Sequence, residues 1–285
     1  MSFKERIDEL NTCDPSKYLP FLCAGKQVGA IRRDRAALLR DFRDILVIAD
    51  KDVLLAPSLG DHQTRTEAMT RVIAVLFGKG EIPRLRRESY SVVPLDDRTL
   101  STPPLFEVDR AACPYFGIRA FGVHVNGFVR EGAGFSLWIA RRSKTAGVHP
   151  NKLDNMVAGG QPAELTVFAN MMKEAEEEAS IPPSLAKTAK EAGYISYCVE
   201  TGAGLGPASM FIYDLELAAS FVPRNADGEL QYFELLPVRD VLRLVEEGEA
   251  FKPNSNLVIL DFCLRHGVIG PDHPEYEAIK SGLHR

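Results

Sequence analysis

Apolar and polar residues alternate along this chain with two periods, and the switches between them mark its elements. Near the start, Phe3, Ile7 and Leu10 fall at helical spacing, and Asp14-Pro15 ends the helix. Residues 28–31 read as a short strand, 35–42 as a helix with Ala36, Leu38 and Leu39 inward, and 45–49 with 53–55 as a hairpin about Asp50-Lys51. Residues 64–77 place Ala68, Val72, Val75 and Leu76 on one helical face before Gly78 and Gly80. Residues 90–95 form a strand, and the turn-rich stretch from Asp96-Asp97 through Thr102-Pro103-Pro104 to Cys113-Pro114 is the predicted domain boundary. Beyond it, 118–130 and 135–140 make a hairpin about Glu131-Gly132-Ala133-Gly134, and 153–158 a short strand. A helix over 184–192, strands over 194–200, 210–217 and 230–236, and helices over 238–245, 256–266 and 274–282 complete the pattern. This rhythm predicts an α/β (α+β) chain: a smaller α+β domain over 1–114, then an α/β/α sandwich around a mixed sheet over 115–285.

One helix between those strands carries the candidate chemistry. Phe168, Met171, Met172, Ala175 and Ala179 fall at i, i+3, i+4, i+7 and i+11, an apolar stripe. Glu174, Glu177 and Glu178 fall at i, i+3 and i+4 on another stripe, within mutual reach. Three carboxylates there repel one another unless a cation sits among them, and Mg²⁺ is the usual guest where phosphates complete the shell. On pattern alone a Glu-rich helix is more often a solvated face. The context favours a site: Gly159-Gly160 precedes the helix, and Ser180-Ile181-Pro182-Pro183 stops it.

Composition narrows the function classes. Lys and Arg number 34 against 39 Asp and Glu, a formal net charge of -5, which argues against a broad nucleic-acid surface and leaves room for a local basic pocket. The clusters Arg32-Arg33-Asp34-Arg35 and Arg84-Leu85-Arg86-Arg87 read as solvated surface; the alternative is that one approaches the phosphates of a ligand bound between the domains. Five scattered cysteines without a close pair argue against a disulfide framework or zinc site and for a reducing cytoplasm. The charged start, Met1-Ser2-Phe3-Lys4-Glu5-Arg6, lacks the apolar core of a signal peptide, and no apolar run approaches the roughly 20 residues that span a bilayer. Gly202-Ala203-Gly204-Leu205-Gly206 lacks the spacing of a phosphate loop and reads as a hairpin turn. The six histidines are dispersed, and His124 and His266 read as structural.

The stretch from Gly160 to Ile181 resembles the signature of the Nudix hydrolases: Gly, five residues, Glu, seven residues, Arg-Glu, aliphatic, any, Glu-Glu, any, Gly, aliphatic. Glu174, Glu177 and Glu178 match its metal-binding glutamates and Gly160 its leading glycine. Lys173 stands for the Arg, Ala175 for a larger aliphatic and Ser180 for the late Gly; the loop is one residue short, and Glu164 is displaced from the early Glu. Lys keeps the charge of Arg without its planar fork, and Ser matters only where that position needs a left-handed backbone. Stretches 138–143, 153–160, 221–229 and 257–267 resemble the thiamin-pyrophosphokinase-related subgroup, whose members carry their own N-terminal domain. The resemblance implies an enzyme that hydrolyses a small-molecule diphosphate, with thiamin diphosphate or its damaged, oxidised forms as the implied substrate. Glu174, Glu177 and Glu178, with the Gly160 carbonyl, are then the holders of Mg²⁺, or Mn²⁺ in its place. Lys173 positions Glu177, Arg141 and Arg142 contact substrate phosphate, and Glu229 or Glu234 is an alternative proton acceptor to the box glutamates. Neither a nucleic-acid nor a membrane partner is expected, and a homodimer is left open. The alternatives are another Nudix substrate, such as a nucleotide sugar, coenzyme or oxidised nucleotide, and a non-catalytic Nudix-fold binding module.

Overall fold

The computed structural model describes residues 2–132, 134–226 and 228–284, so Ala133 of the expected hairpin turn and Asp227 of the resembling stretch lie outside the described residues. Helix α1 (Phe3–Asp8) leads into a four-stranded sheet built from β1 (Tyr18–Cys23), β2 (Lys26–Arg32), β3 (Leu46–Ile48) and β4 (Val53–Leu55), in the order β2-β1-β4-β3. The strand β1 is not visible in the pattern because Pro20 interrupts it, yet pairing with β4 begins only at Phe21, so the missing N–H costs that ladder nothing. Helix α2 (His62–Gly78) buries Ala68, Met69, Val72 and Leu76 in the same core as this sheet. The strands β5 (Ser89–Val92) and β6 (Phe106–Asp109) pair antiparallel, with β6 inside the stretch expected to be only turns, and α3 (Cys113–Phe116) follows.

The second unit is a seven-stranded mixed sheet. Its long path runs β11 (Lys190–Thr201), β12 (Gly204–Glu216), β7 (Ala120–Glu131), β8 (Gly134–Arg142), β13 (Leu230–Pro237). The short strands β9 (Leu153–Asn155) and β10 (Val157–Gly160) pair with β8 and β7 respectively, and β12 runs parallel to β7. Helices α4 (Val167–Ala179) and α5 (Pro183–Ala186) cover one face; α6 (Val238–Glu247), α7 (Pro253–Arg265) and α8 (Tyr276–Gly282) cover the other. Period-2 alternation divides each strand between the layers: on β12, Phe211, Tyr213 and Leu215 join α4, while Met210 and Ile212 join α7. This is the expected α/β/α sandwich with its mixed sheet. The helix expected over 184–192 is reduced to α5, because β11 already begins at Lys190 and passes a bulge before Tyr194.

Three features run against or beyond the sequence reading. Helix α1 packs not in the first core but in the second, where Phe3, Ile7 and Leu10 join Ile259, Phe262 and Ile279. Cys13 and Cys198 form a disulfide across 185 positions, against the expectation of none; proximity in the fold, not in sequence, pairs them. Arg35, expected at a solvated surface, is buried and donates to the carbonyls of Gly202 and Ala203, fixing the glycine-rich turn between β11 and β12 to the first unit.

Candidate active site

The candidate site forms where α4 lies against β10. Thr166 caps the helix, its hydroxyl accepting from the Ala169 N–H at 3.2 Å. Met171, Ala175 and Ala179 are fully buried against the sheet, as the stripe requires, whereas Phe168 stays exposed. Such close approach needs glycine: a Cβ on Gly159 would stand 2.4 Å from Cδ of Glu174. The helix ends at Ser180 in the left-handed conformation (φ 51°), with Ile181 N–H donating back to the Ala175 carbonyl at 3.1 Å. Ser180 therefore occupies a position that does need a left-handed backbone.

The three glutamates sit in three environments. Glu178 is buried (4% exposed) and its Oε2 accepts from the Ala158 N–H at 2.8 Å. Burial pushes its carboxyl up to about 8; the Ala158 bond opposes this rise, while Glu174, Asp154 and Glu229 add to it. Glu174 is also raised, first by burial, with Lys173 acting against it. Glu177 is half-exposed and pairs with Lys173 Nζ at 2.6 Å, the expected i,i+4 contact; Lys173 also reaches Glu174 at 3.3 Å.

Among the described residues, no group of three or more His, Cys, Asp or Glu side chains is arranged as a ready metal-ligand set. The donor chemistry nevertheless suits a hard divalent cation. Glu178 is a buried acid pressed on by neighbouring carboxylates, and a cation is what would ionise it. Around Gly160, the buried amide oxygens of Gln161 and Asn170 have no hydrogen-bond partner among the described residues. The Gly160 carbonyl itself accepts from Asn170 Nδ2 at 2.7 Å, which leaves its second lone pair for a ligand.

The remaining expected residues are engaged in part. Arg142 donates to Asp154 Oδ2 at 3.1 Å and to the Val148 carbonyl, and Arg141 to the Asn151 carbonyl at 2.8 Å and the Tyr232 hydroxyl at 3.1 Å. Both arginines thereby hold the 143–151 loop. Glu229 adds to the negative field on Glu174 and Glu178, and Glu234 is exposed on β13.

Sequence reasoning missed five residues in or beside the glycine strand. Asn170 and Gln161 flank the glycines; a buried polar residue on an otherwise inward-facing turn was the available signal for Asn170. Asp154 is buried on β9 with Arg142, Lys252 and Ser255 as partners; burial alone would raise its carboxyl, but Lys252, the Ser255 bond and Arg142 lower it. From the first unit, Tyr90 and Arg110 reach Gly160: a Cβ there would stand 2.0 Å from the Tyr90 hydroxyl and 2.9 Å from Arg110 Nη1. His124 and His266 are structural. His124 is buried, its Nδ1 on Asn155 Oδ1 at 2.8 Å, and burial pulls it down to about 4, so it is neutral. His266 stacks on Phe262.

Residues 2–120 match a family described as a domain of unknown function (DUF4743). Over its length the chain is similar to two proteins of Arabidopsis thaliana. It is 40% identical to "Nudix hydrolase 24, chloroplastic" over 279 residues, covering 96% of this chain and 75% of the relative. It is 38% identical to "Nudix hydrolase 20, chloroplastic" over 285 residues, with the same coverage. A solved Deinococcus radiodurans structure, DR0079, is similar at 24% identity and a TM-score of 0.43, covering 61% of this chain and 98% of that one. The names of the two plant relatives place them in the chloroplast, which overturns the cytoplasmic expectation drawn from scattered cysteines. Among the described residues, no helix is long and apolar enough to cross a membrane.

Proposed function

Because the chain belongs to the Nudix hydrolases, enzymes that act on diphosphate bonds, we propose that the α4–β10 site is where it cleaves a small-molecule diphosphate, with Mg²⁺ as cofactor. The observation that carries this reading is the buried Glu178 carboxyl, held on the Ala158 N–H beside Glu174 and the glycine strand. Thiamin diphosphate or its oxidised forms is the substrate class we propose, on the resemblance of the stretches outside the signature.

In this reading Glu174, Glu177 and Glu178, with the Gly160 carbonyl, hold Mg²⁺, or Mn²⁺ in its place. When bound, the cation supplies neutralisation of phosphate oxygens and a more acidic water. The chain's own residues do the rest. Lys173 fixes Glu177 through its 2.6 Å ion pair. Gly159 gives Glu174 the room to lie on the strand. Glu229, whose charge is felt by Glu174 and Glu178, would accept the proton released as water attacks phosphorus. Residues 1–114 are proposed as a separate unit with its own apolar core, apart from α1, which docks on the second.

The test is release of phosphate or monophosphate with Mg²⁺ across thiamin diphosphate, its oxidised analogues, ADP-ribose, nucleotide sugars and coenzyme A. Wild type is expected to turn over one of these, with Glu178→Gln at least about 100-fold slower in kcat. Equal turnover in the variant would put the chemistry elsewhere, and silence across the panel would favour the binding-module reading.

A further inference from the structure

A cavity of about 410 Å³ is lined from β11, α7 and α8, with no residue of α4 or β10 on its walls. Small-molecule sites typically measure roughly 300–1,000 Å³. The sheet explains the space. β11 is the last strand of its path, and on its free side the Ser196 N–H donates to the Leu283 carbonyl at 2.9 Å. Just before this, Ala192 and Gly193 drop out of register with β12, a bulge that bends the strand. Gly193 has φ 93°, and a Cβ there would meet nothing within 4 Å, so the bulge borders open space.

Several polar groups facing this cavity have no partner in the fold. Asp261 is 7% exposed; its Oδ2 accepts from Arg265 Nε at 2.7 Å, whereas Oδ1 accepts no hydrogen bond among the described residues. That oxygen is not sealed by protein, so it opens on the cavity. Burial holds the Asp261 carboxyl above its usual range, with Arg265 acting against the rise. A donor arriving at Oδ1 would relieve that cost. Lys280 has no ion pair among the described residues, and its Nζ lies 5.7 Å from the Tyr276 ring centre. The Tyr194 and His284 rings stand edge to face, centroids 5.5 Å apart, and neither the Tyr194 nor the Tyr276 hydroxyl makes a hydrogen bond among the described residues.

We infer that this cavity is a second ligand site, taking a small heteroaromatic amine that carries an anionic group, the class of the nucleoside monophosphates. The ring lies among Tyr194, Tyr276 and His284, its amino group donates to Asp261 Oδ1, and Lys280 receives the anion. A purely apolar ligand would leave the Asp261 oxygen dry and unpaired, and a cationic one would meet both Lys280 and Arg265. The inference stands apart from the proposed hydrolase site.

The experiment titrates AMP, CMP and adenosine calorimetrically into the full chain, with EDTA present so that no metal draws phosphate to the carboxylates. Wild type is expected to bind AMP or CMP saturably, with Kd below about 1 mM. Lys280→Ala, on an exposed side chain, is expected to weaken the monophosphate about 10-fold and to leave adenosine within about twofold. In Asp261→Asn the amide oxygen can keep the Arg265 bond, which turns a nitrogen donor toward the ligand's own donor. Monophosphate and adenosine should then both weaken at least about 10-fold, with the melting temperature as folding control. Glu178→Gln should bind as wild type does. No saturable binding of either monophosphate overturns the inference, as does binding that Lys280→Ala leaves unchanged or that Glu178→Gln abolishes. Should Asp261→Asn fail to fold, Lys280→Ala and Glu178→Gln decide alone.

Discussion

Ser180 ends α4 with φ 51° and ψ 37°, a conformation that costs a residue bearing a Cβ about 1–2 kcal/mol. Its hydroxyl offsets part of this by donating to the Arg224 carbonyl at 2.8 Å, an exposed bond contributing about 0.5–1 kcal/mol. Ser180→Gly is therefore expected to stabilise the protein by about 0.5 kcal/mol, and Ser180→Ala, which keeps the strain and loses the bond, to destabilise it by a similar amount. Urea unfolding would rank them Gly, Ser, Ala; a variant with glycine below serine would contradict the strain argument. That Glu174, Glu177 and Glu178 lie on one helix was legible from spacing alone. That Glu178 turns inward to the Ala158 N–H was not, because a helix sequence does not specify which strand lies beside it.

At the scale of elements, α4 and β10 act as one part because Gly159 has no side chain. Gly159→Ala would drive a methyl into Glu174, and displacing that carboxylate by about 1 Å is expected to lower kcat about 100-fold, with a smaller loss of stability. Steady-state kinetics beside circular dichroism would check this; unchanged kcat would show that Glu174 moves without consequence. Elements with strong periodicity, such as α2, β7 and α4, were readable from the pattern. β1 and β6 were hidden, one by Pro20 and the other by surrounding turn residues, since each is held by tertiary pairing instead of local propensity. Residues 153–158 read as one strand and are two, because Met156 separates β9 on β8 from β10 on β7.

For the whole molecule, the Cys13–Cys198 bond ties the segment entering the first unit to β11 of the second. The Thr12 N–H donates to the Cys198 carbonyl at 3.1 Å, and Lys17 pairs with Glu200 at 3.3 Å alongside. Closing a loop of 185 positions has an entropic ceiling of about 5 kcal/mol, with about 2–4 more usual. A reductant is thus expected to lower the melting temperature by roughly 5–15 °C, and Cys198→Ser to abolish that response. Cys23, Cys113 and Cys263 are buried with their thiols raised, Cys113 to about 12, so they add little to it. A reductant-insensitive melting curve would mean that the crosslink contributes nothing.

Helix α1 is seated against the far end of the chain: the Phe3 N–H meets the Glu275 carboxylate across 272 positions, and Ile7 fills the space beside Gly282. A ribosome adding about 5–20 residues per second emits Phe3 roughly 14–55 s before Glu275. For that interval the apolar face of α1 waits without its final partner, while the four-stranded sheet already has every strand it needs. Vectorial synthesis thus lets the first unit fold early and makes closure of the second core a late event, with the first helix the natural hold-point for a chaperone.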